Sequence, residues 1–280
     1  MNDRERAEPV DHGHMPRRAL VNSLWAIAGL GAASLVTSTL AGCGGSSSPA
    51  PGSPTPSPVT PPPPTSSGLP ALGAQDLAFA RHNIAVPGLS VILSTASSGS
   101  SLLACVGRGN VSAHAAPTDN RGNAFTPVGA ARTYTNWPSS GTALYFCAGA
   151  AGGSGHAVSA TKPSLDETTL SVVEVRGGGR LQDVRWSEVL AGLPLTSQSV
   201  VTTGPAVLVA WWWGDAGVDQ DKTAVPDNGF TVIHSVLASG ELVQCAVAVR
   251  RVDVAGSYNV TWSSTPLQGA QLWIAAVQAA

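Results

Sequence analysis

Short runs of β-branched and aromatic residues, separated by clusters of Gly, Ser, Asn and Asp, recur along residues 73–280. Such runs between turn signals are typical of strands, and no long segment between them has the period of an amphipathic helix. The sequence therefore predicts an all-β fold, a two-sheet antiparallel β-sandwich of jelly-roll type. The clearest predicted strands are residues 89–93, 102–106, 143–148, 169–175, 206–213, 230–236, 242–249, 258–262 and 272–277.

Turn-forming clusters separate these strands, and two further stretches are ambiguous. Residues 77–84 would fit one or two turns of helix, and residues 181–190, which contain Trp186, would fit a short helix or a long loop. The predicted turns are residues 97–99, 119–123, 152–155, 177–179, 227–229 and 239–240.

The charge content argues against two classes of protein. Only 11% of the residues are charged, and the net charge is -2. A helical bundle needs charged residues on the outer faces of its helices, and a nucleic-acid-binding protein needs basic residues to neutralise phosphates. We therefore expect neither a bundle nor a nucleic-acid partner.

Residues 44–72 have the composition of a disordered linker. Of these 29 residues, ten are Pro, seven Ser, four Gly and three Thr, and none is charged. Too few apolar side chains are present to offset the entropy of ordering the segment. Residues 61–64 are consecutive prolines. Because proline favours polyproline II, the stretched linker could hold the 73–280 domain about 90 Å from its attachment point.

Residues 1–43 have the pattern of an export signal. Arg17 and Arg18 precede an apolar segment that is densest over residues 24–36, and the segment ends in Leu40-Ala41-Gly42-Cys43. That run resembles the lipobox of bacterial lipoproteins, in which small residues precede a cysteine. The resemblance implies that Cys43 receives a diacylglyceryl thioether, becomes the first mature residue, and attaches the chain to a membrane.

Several features of this segment leave alternatives open. Translation could begin at Met1 or at Met15, and residues 17–21 partly resemble a twin-arginine export signal. Residues 19–40 are also long enough, at about 33 Å of helix, to form an uncleaved membrane anchor. Gly44 follows the cysteine in place of the aspartate associated with inner-membrane retention. In a bacterium with two membranes, the lipoprotein resemblance therefore implies the outer one.

A set of short motifs follows a definite order along residues 88–278. The motifs are a D-x-x-G-N-x-F pattern, an apolar strand, a Gly-Gly turn, a strand with a glutamate and a last strand with a tryptophan: Asp119, Gly122, Asn123 and Phe125, then 143–148, Gly152-Gly153, Glu174 and Trp273. This order resembles a β-sandwich module that recurs in secreted and surface-exposed bacterial proteins. The resemblance implies a structural or binding module of unassigned activity and brings no catalytic residues.

The sequence carries no strong catalytic or metal-binding motif. Residues 152–156 fall short of the G-x-S-x-G pattern of serine hydrolases because His156 replaces the last glycine, and we predict a Gly-rich hairpin turn there. The remaining histidines, such as His114 and His234, lack further ligands at zinc-binding spacing. A histidine, a serine and an aspartate could still meet in space, but serine is too frequent for this to be informative. We expect no metal and no cofactor.

Acidic residues supply two weaker candidates. Four aspartates cluster after a predicted strand, as calcium ligands can: Asp215, Asp219, Asp221 and Asp227. Lys222 lies among them and the spacing is not that of an EF-hand, so we predict a solvated loop.

Glu174 could supply one of the two carboxylates that a glycosidase needs. Because strand residues alternate, it points opposite to Val173 and Val175, and we expect it on a polar face.

Trp211-Trp212-Trp213 ends an apolar predicted strand. Alternation places Trp211 and Trp213 on one face and Trp212 on the other. An exposed face would form an aromatic platform on which sugar rings stack, so a carbohydrate-binding or carbohydrate-active protein is the alternative function. Each indole can bury about 150–250 Å² of surface, which favours packing in the core instead.

Three cysteines remain if Cys43 carries lipid: Cys105, Cys147 and Cys245. At most one disulfide can form among them, and the sequence does not indicate which pair would form it. Alternatively, all three are buried thiols that pack as small apolar residues. Taken together, the sequence predicts a lipid-anchored cell-envelope protein with a non-catalytic binding or structural sandwich. Its expected partners are the membrane, through the lipid on Cys43, and a glycan or another envelope component.

Overall fold

The computed structural model describes residues 68–81, 88–110, 113–163, 166–215, 222–265 and 269–280. The predicted export signal, Cys43 and most of the predicted linker lie outside these residues. The strands, in chain order, are β1(Ala71–Ala80), β2(Gly88–Leu93), β3(Ser100–Arg108), β4(Thr118–Asp119), β5(Thr126–Pro127), β6(Arg132–Tyr134), β7(Trp137–Ala150), β8(His156–Thr161), β9(Thr168–Arg176), β10(Arg180–Val189), β11(Leu195–Thr196), β12(Val200–Thr202), β13(Ala206–Asp215), β14(Thr223–Pro226), β15(Thr231–Val236), β16(Val243–Val252), β17(Gly256–Tyr258), β18(Thr261–Thr265) and β19(Ala270–Gln278).

Two large antiparallel sheets pack face to face. Inner sheet I has the strand order β1-β9-β3-β7-β5, with β6 also paired to β7, and inner sheet II has the order β10-β19-β13-β16-β15. Between them lies the central core, to which inner sheet I contributes Leu103, Val173 and Val175 and inner sheet II contributes Val209 and Trp273. The predicted all-β antiparallel sandwich is confirmed.

Smaller sheets cover the outer faces of the sandwich. Outer sheet I, β2-β8-β4, packs on inner sheet I around outer core I, which includes Val91, Leu102 and Val158. Outer sheet II, β11-β18-β14, and the ladder β12-β17 pack on inner sheet II around outer core II, which includes Leu208 and Trp262. Since both of their faces are covered, β3 and β19 are buried at every residue.

The two halves of the described chain repeat one topology. The order β1-β9-β3-β7-β5 returns as β10-β19-β13-β16-β15, and β2-β8-β4 returns as β11-β18-β14. The first strand of each half shifts register near its start, after Leu72 in β1 and after Leu181 in β10. Gly177-Gly178-Gly179 joins the halves. The folded part is therefore a tandem pair of equivalent units.

Equivalent side chains support this repeat. Hydroxyl groups pair across the outer strands at matching positions, Ser90 with Ser159 at 2.7 Å and Thr196 with Thr261 at 3.1 Å. Each unit also has an Asp-Asn turn that leads into a buried phenylalanine: Asp119-Asn120 before Phe125 and Asp227-Asn228 before Phe230. The two units thus share strand order, cross-strand pairs and turn chemistry.

The described part has two distinguishable ends. At the junction end, Ala71 at the start of β1 pairs with Arg176, and the Gly179 N–H donates to the Gln278 carbonyl at 2.9 Å. At the opposite end, called the distal end, the Val243 N–H donates to Glu167 Oε2 at 2.8 Å. The chain therefore enters the sandwich at the same end as the junction between the units.

Both ambiguous stretches are strands where they are described. Residues 77–80 belong to β1, residues 82–84 lie outside the described residues, and residues 181–189 belong to β10. The helical interpretation of both stretches is therefore wrong, and so is the alternative of a long loop for residues 181–190. Leu77 and Phe79, and likewise Val184 and Trp186, alternate along their strands and pack against the central core, so a period of two outweighs the weak helical signal. Strand β1 begins at Ala71, two residues before the expected start of the domain.

Gly107 marks a point where the central core has no room for a side chain. A Cβ there would lie 2.0 Å from Trp213 Nε1 and 2.7 Å from Thr169 Oγ1. We expect Gly107→Ala to lower the free energy of unfolding by about 1–3 kcal/mol, as overpacking does. A Cβ on Gly204 would have only Gln278 Nε2 nearby, at 3.6 Å, so Gly204→Ala is the matched control. Urea unfolding measures both variants, and equal effects would contradict the packing.

Candidate functional site

The three consecutive tryptophans lie in the interior. Trp211 and Trp212 are 0% exposed and Trp213 is 1% exposed. Trp211 and Trp213 pack in the central core, and Trp212 packs in outer core II beside Trp262, as strand alternation predicts. The Trp211 Nε1–H donates to Ser171 Oγ at 2.7 Å. Stacking on a sugar needs an exposed ring face, and none of these three indoles has one.

A short line of hydrogen bonds crosses the central core beside these rings. The Trp273 Nε1–H donates to Thr142 Oγ1 at 2.8 Å, and the Thr142 hydroxyl donates to Gln271 Oε1 at 2.6 Å. The Gln271 amide then donates to the Arg132 carbonyl at 3.2 Å. Since Thr142 and Arg132 belong to inner sheet I, and Trp273 and Gln271 to inner sheet II, these polar groups fix the two sheets relative to each other.

The residue types of a hydrolytic triad meet at the junction end. His156 Nε2 lies 2.8 Å from Asp119 Oδ2, and His156 Nδ1 lies 3.0 Å from Thr95 Oγ1. In the neutral Nε2–H tautomer, the imidazole donates to Asp119 and accepts from the Thr95 hydroxyl. An acid, an imidazole and a hydroxyl in this order are the arrangement that activates a nucleophile.

The hydroxyl of this line is closed to a substrate. The Gly153 N–H donates to Thr95 Oγ1 at 3.1 Å, and a Cβ on Gly152 would lie 2.3 Å from the same oxygen. Residues 152–153 therefore cover the hydroxyl directly, and the side chains of Asp119 and His156 are both 0% exposed. Residues 151–155 form a Gly-rich turn, as predicted, but the predicted hairpin is wrong, because β7 lies in inner sheet I and β8 in outer sheet I and the two strands do not pair. The turn leaves no space for an acyl group beside Thr95.

Asp119 is instead the centre of a turn. Its carboxylate accepts from the N–H groups of Arg121, at 3.0 Å, and Asn123, at 2.9 Å, and from the Asn123 side-chain amide at 2.6 Å. Burial acts to raise the pKa of Asp119, but the hydrogen bonds from His156 and the 121–123 turn outweigh it and hold that pKa below its ordinary value. Gly122 adopts φ +75°, which favours glycine. These contacts explain the D-x-x-G-N pattern as turn chemistry.

Glu174 is buried, and its expected place on a polar face is wrong. The side chain does point opposite to Val173 and Val175, but chain segments cover that face too, and Glu174 is 0% exposed. Its carboxylate accepts from the N–H groups of Ala74 at 2.7 Å and Ala96 at 2.8 Å and from Ser100 Oγ at 2.7 Å. These donors replace water around the charge, so Glu174 connects β1, the β2–β3 turn and β9.

Gly73 allows this arrangement. A Cβ on Gly73 would lie 2.2 Å from Glu174 Oε2, so the register shift at the start of β1 brings bare backbone against the carboxylate. The sequence shows the glycine and the glutamate, but 100 residues separate Ala74 from Glu174. No local pattern could have indicated their contact.

A second buried group of charges lies at the distal end. Arg108 is 3% exposed and donates to the carbonyls of Ala113 and Thr161, each at 2.7 Å. Asp166 is fully buried and accepts from the Asn110 N–H at 2.9 Å. Burial lowers the pKa of Arg108, with the charge of Asp166 opposing the change, and burial likewise raises the pKa of Asp166. These groups hold the loops after β3 and β8.

His114 belongs to the same group. Both of its ring nitrogens are buried and, within the part of the chain that the structure describes, neither has a hydrogen-bond partner. Burial, together with the positive charge of Arg108, lowers the pKa of His114 to about 4. The folded protein therefore keeps this imidazole neutral at physiological pH.

This burial makes stability depend on pH through His114. The unfolded chain binds a proton near the ordinary pKa of 6.5, whereas the folded chain does so only near 4. We expect the free energy of unfolding to fall as the pH decreases from about 6.5 to about 4, by at most about 3 kcal/mol. Chemical denaturation across this range measures it. His114→Phe should remove most of this dependence of the unfolding free energy on pH, and the control His234→Gln should keep it. If the dependence is unchanged in His114→Phe, it does not arise from the burial of His114.

The remaining candidates do not converge on a site. Among the described residues, no group of three or more His, Cys, Asp or Glu side chains could hold a metal ion. Asp219 and Asp221 lie outside the described residues, Asp215 ends β13, and Asp227 Oδ1 accepts from the Thr261 N–H at 2.7 Å. A shallow cleft of about 130 Å³ on outer sheet I has only small residues in its lining: Gly88, Ala116, Thr118, Ser159, Ala160 and Thr161.

The three cysteines of the sandwich are buried free thiols. Cys105 and Cys245 pack in the central core, and Cys147 packs in outer core I. Burial raises the pKa of all three, that of Cys245 to about 12.

Within the described ranges, no helix is long and apolar enough to cross a bilayer. No protein-family model matches the chain, and no curated protein and no solved structure is significantly similar to it. Its function has to be inferred from its own residues.

Proposed function

We propose that this chain is a lipid-anchored cell-envelope protein whose β-sandwich has a non-catalytic binding or structural role. The observation that carries the proposal is the order of three segments. The lipobox-like run 40–43 comes first, an uncharged segment rich in Pro and Ser follows, and β1 begins at Ala71. An anchor, a spacer and a folded domain in this order suit a protein held at a distance from a membrane.

The sandwich has a direction that fits this attachment. Residues 68–71 precede and begin β1 at the junction end, and the chain from Cys43 reaches the sandwich there. The junction end is therefore the end of the sandwich that the proposed linker would join to the anchor.

The contacts of the polar groups support a non-catalytic role. The line Thr95–His156–Asp119 is covered by residues 152–153, and the carboxylate of Glu174 is occupied by three donors from neighbouring segments. In each case a side chain that could do chemistry connects turns instead. The burial of residues 211–213 likewise favours a packing role over a sugar-stacking platform.

The energetics of lipid attachment support a permanent anchor. One acyl chain gives only marginal membrane binding, at about 0.8 kcal/mol per buried CH₂, and stable anchoring takes at least two chains. A diacylglyceryl group on Cys43 with an added N-acyl chain would supply three. Gly44 in the following position favours the outer membrane if the source has two membranes.

Lipid labelling tests the anchor. Cells that express the full chain are fed a clickable fatty acid, and the chain is then isolated and its label measured. We expect wild-type protein to take up label and to fractionate with membranes, whereas Cys43→Ser takes up none and is released or mislocalised, because the thioether needs that sulfur. Cys147→Ala is the control and should keep its label.

Two outcomes would contradict the proposed anchor. Wild-type protein could take up no label, or Cys43→Ser could take up as much as wild type. Either result would favour an uncleaved anchor over residues 19–40.

A further inference from the structure

The faces of the strands determine which cysteines can meet. Cys105 on β3 packs in the central core with Leu103, whereas Cys147 on β7 packs in outer core I with Tyr145. Inner sheet I therefore separates Cys147 from the central core. Cys245 on β16 faces the central core from inner sheet II. Of the three possible pairs, only Cys105 and Cys245 point into the same space.

The contacts around these two residues bring β3 and β16 close together. A Cβ on Gly107 would lie 2.0 Å from Trp213 Nε1, and Trp213 pairs with Cys245 in the ladder between β13 and β16. A Cβ on Gly109 would lie 2.7 Å from Val243 Cγ1. Glycine at both positions lets the last part of β3 and the residue after it approach inner sheet II. Burial raises the pKa of Cys105, and the charge of Cys245 adds to that rise.

We propose that Cys105 and Cys245 form a disulfide across the central core when the protein folds in an oxidising compartment of the cell envelope. The inference rests on the proposed function, which supplies that compartment. The structure describes the dithiol form. A buried bond between two sheets, packed against tryptophan, is a known way to fasten a β-sandwich.

The reaction is a thiol–disulfide exchange with an exported protein disulfide as oxidant. One cysteine thiolate attacks the oxidant's S–S bond and forms a mixed disulfide, and one oxidant thiol leaves. The second cysteine thiolate then attacks its partner's sulfur in the mixed disulfide and releases the second oxidant thiol. The chain loses two electrons and two protons, and the oxidant disulfide is reduced to two thiols.

Burial determines when this exchange takes place. Both thiols are fully enclosed in the folded sandwich, and burial raises the pKa of Cys245 to about 12, so the reactive thiolate is scarce and inaccessible there. The bond must form before the two inner sheets close on each other. It links residues 140 positions apart (245 − 105), one in each unit, and leaves Cys147 as a free thiol.

Thiol counting on the exported full chain tests the proposal. The protein is isolated from the envelope, denatured without reductant, and labelled with N-ethylmaleimide. We expect label on Cys147 alone and a non-reduced peptide pair that contains Cys105 and Cys245, identified by mass spectrometry. Cys105→Ala should add label at Cys245, Cys245→Ala should add label at Cys105, and the control Cys147→Ala should leave no labelled thiol in residues 73–280.

The positions of the label separate the two hypotheses. Label on both Cys105 and Cys245 in wild-type protein, or a bond that includes Cys147, would overturn the disulfide. Label on Cys43 would instead contradict the lipid anchor. The labels on Cys105 and Cys245 would still decide whether the disulfide forms. Protein that folds in the reducing cytoplasm should carry label on all three cysteines of the sandwich after denaturation.

Discussion

The burial of indole rings between the two inner sheets is the interaction on which the rest of the structure depends. Trp211, Trp213 and Trp273 fill the central core from inner sheet II, and Gly107 in inner sheet I leaves the space that Trp213 occupies. At about 25 cal/mol per Å², each ring contributes at most about 4–6 kcal/mol. One unit alone would expose these rings to water. The free energy of burying them therefore favours folding of the two units together.

The two units use the same plan with different chemistry. Glu174 in the first unit pairs with Leu102, and Ala276 holds the equivalent place beside Leu208 in the second. The first unit therefore joins its turns through a buried carboxylate, whereas the second presents a methyl group to an apolar outer core. The hydrogen bonds among Asp119, His156 and Thr95 likewise join turns of the first unit through buried polar side chains. Residue types that suggest catalysis thus serve to connect turns, which is why the proposed role is binding or structural.

Much of the fold could be predicted from the sequence, because strand alternation and turn chemistry are local signals. The tryptophans at 211–213 show this well, since a period of two assigns their faces correctly. The contacts of Glu174 and His156 could not be predicted, because they join segments far apart in the chain and depend on how the sheets stack. The repeat did leave a signal in the two Asp-Asn turns before Phe125 and Phe230, but different turn lengths obscure it.

Calorimetry on the purified protein tests most directly whether the central core unites the two units. If the tryptophan-filled core couples them, the sandwich should unfold in a single transition whose calorimetric and van't Hoff enthalpies agree. Two resolved transitions, or a van't Hoff enthalpy well below the calorimetric one, would show that the units unfold separately and would contradict a chain that folds as one cooperative pair of units.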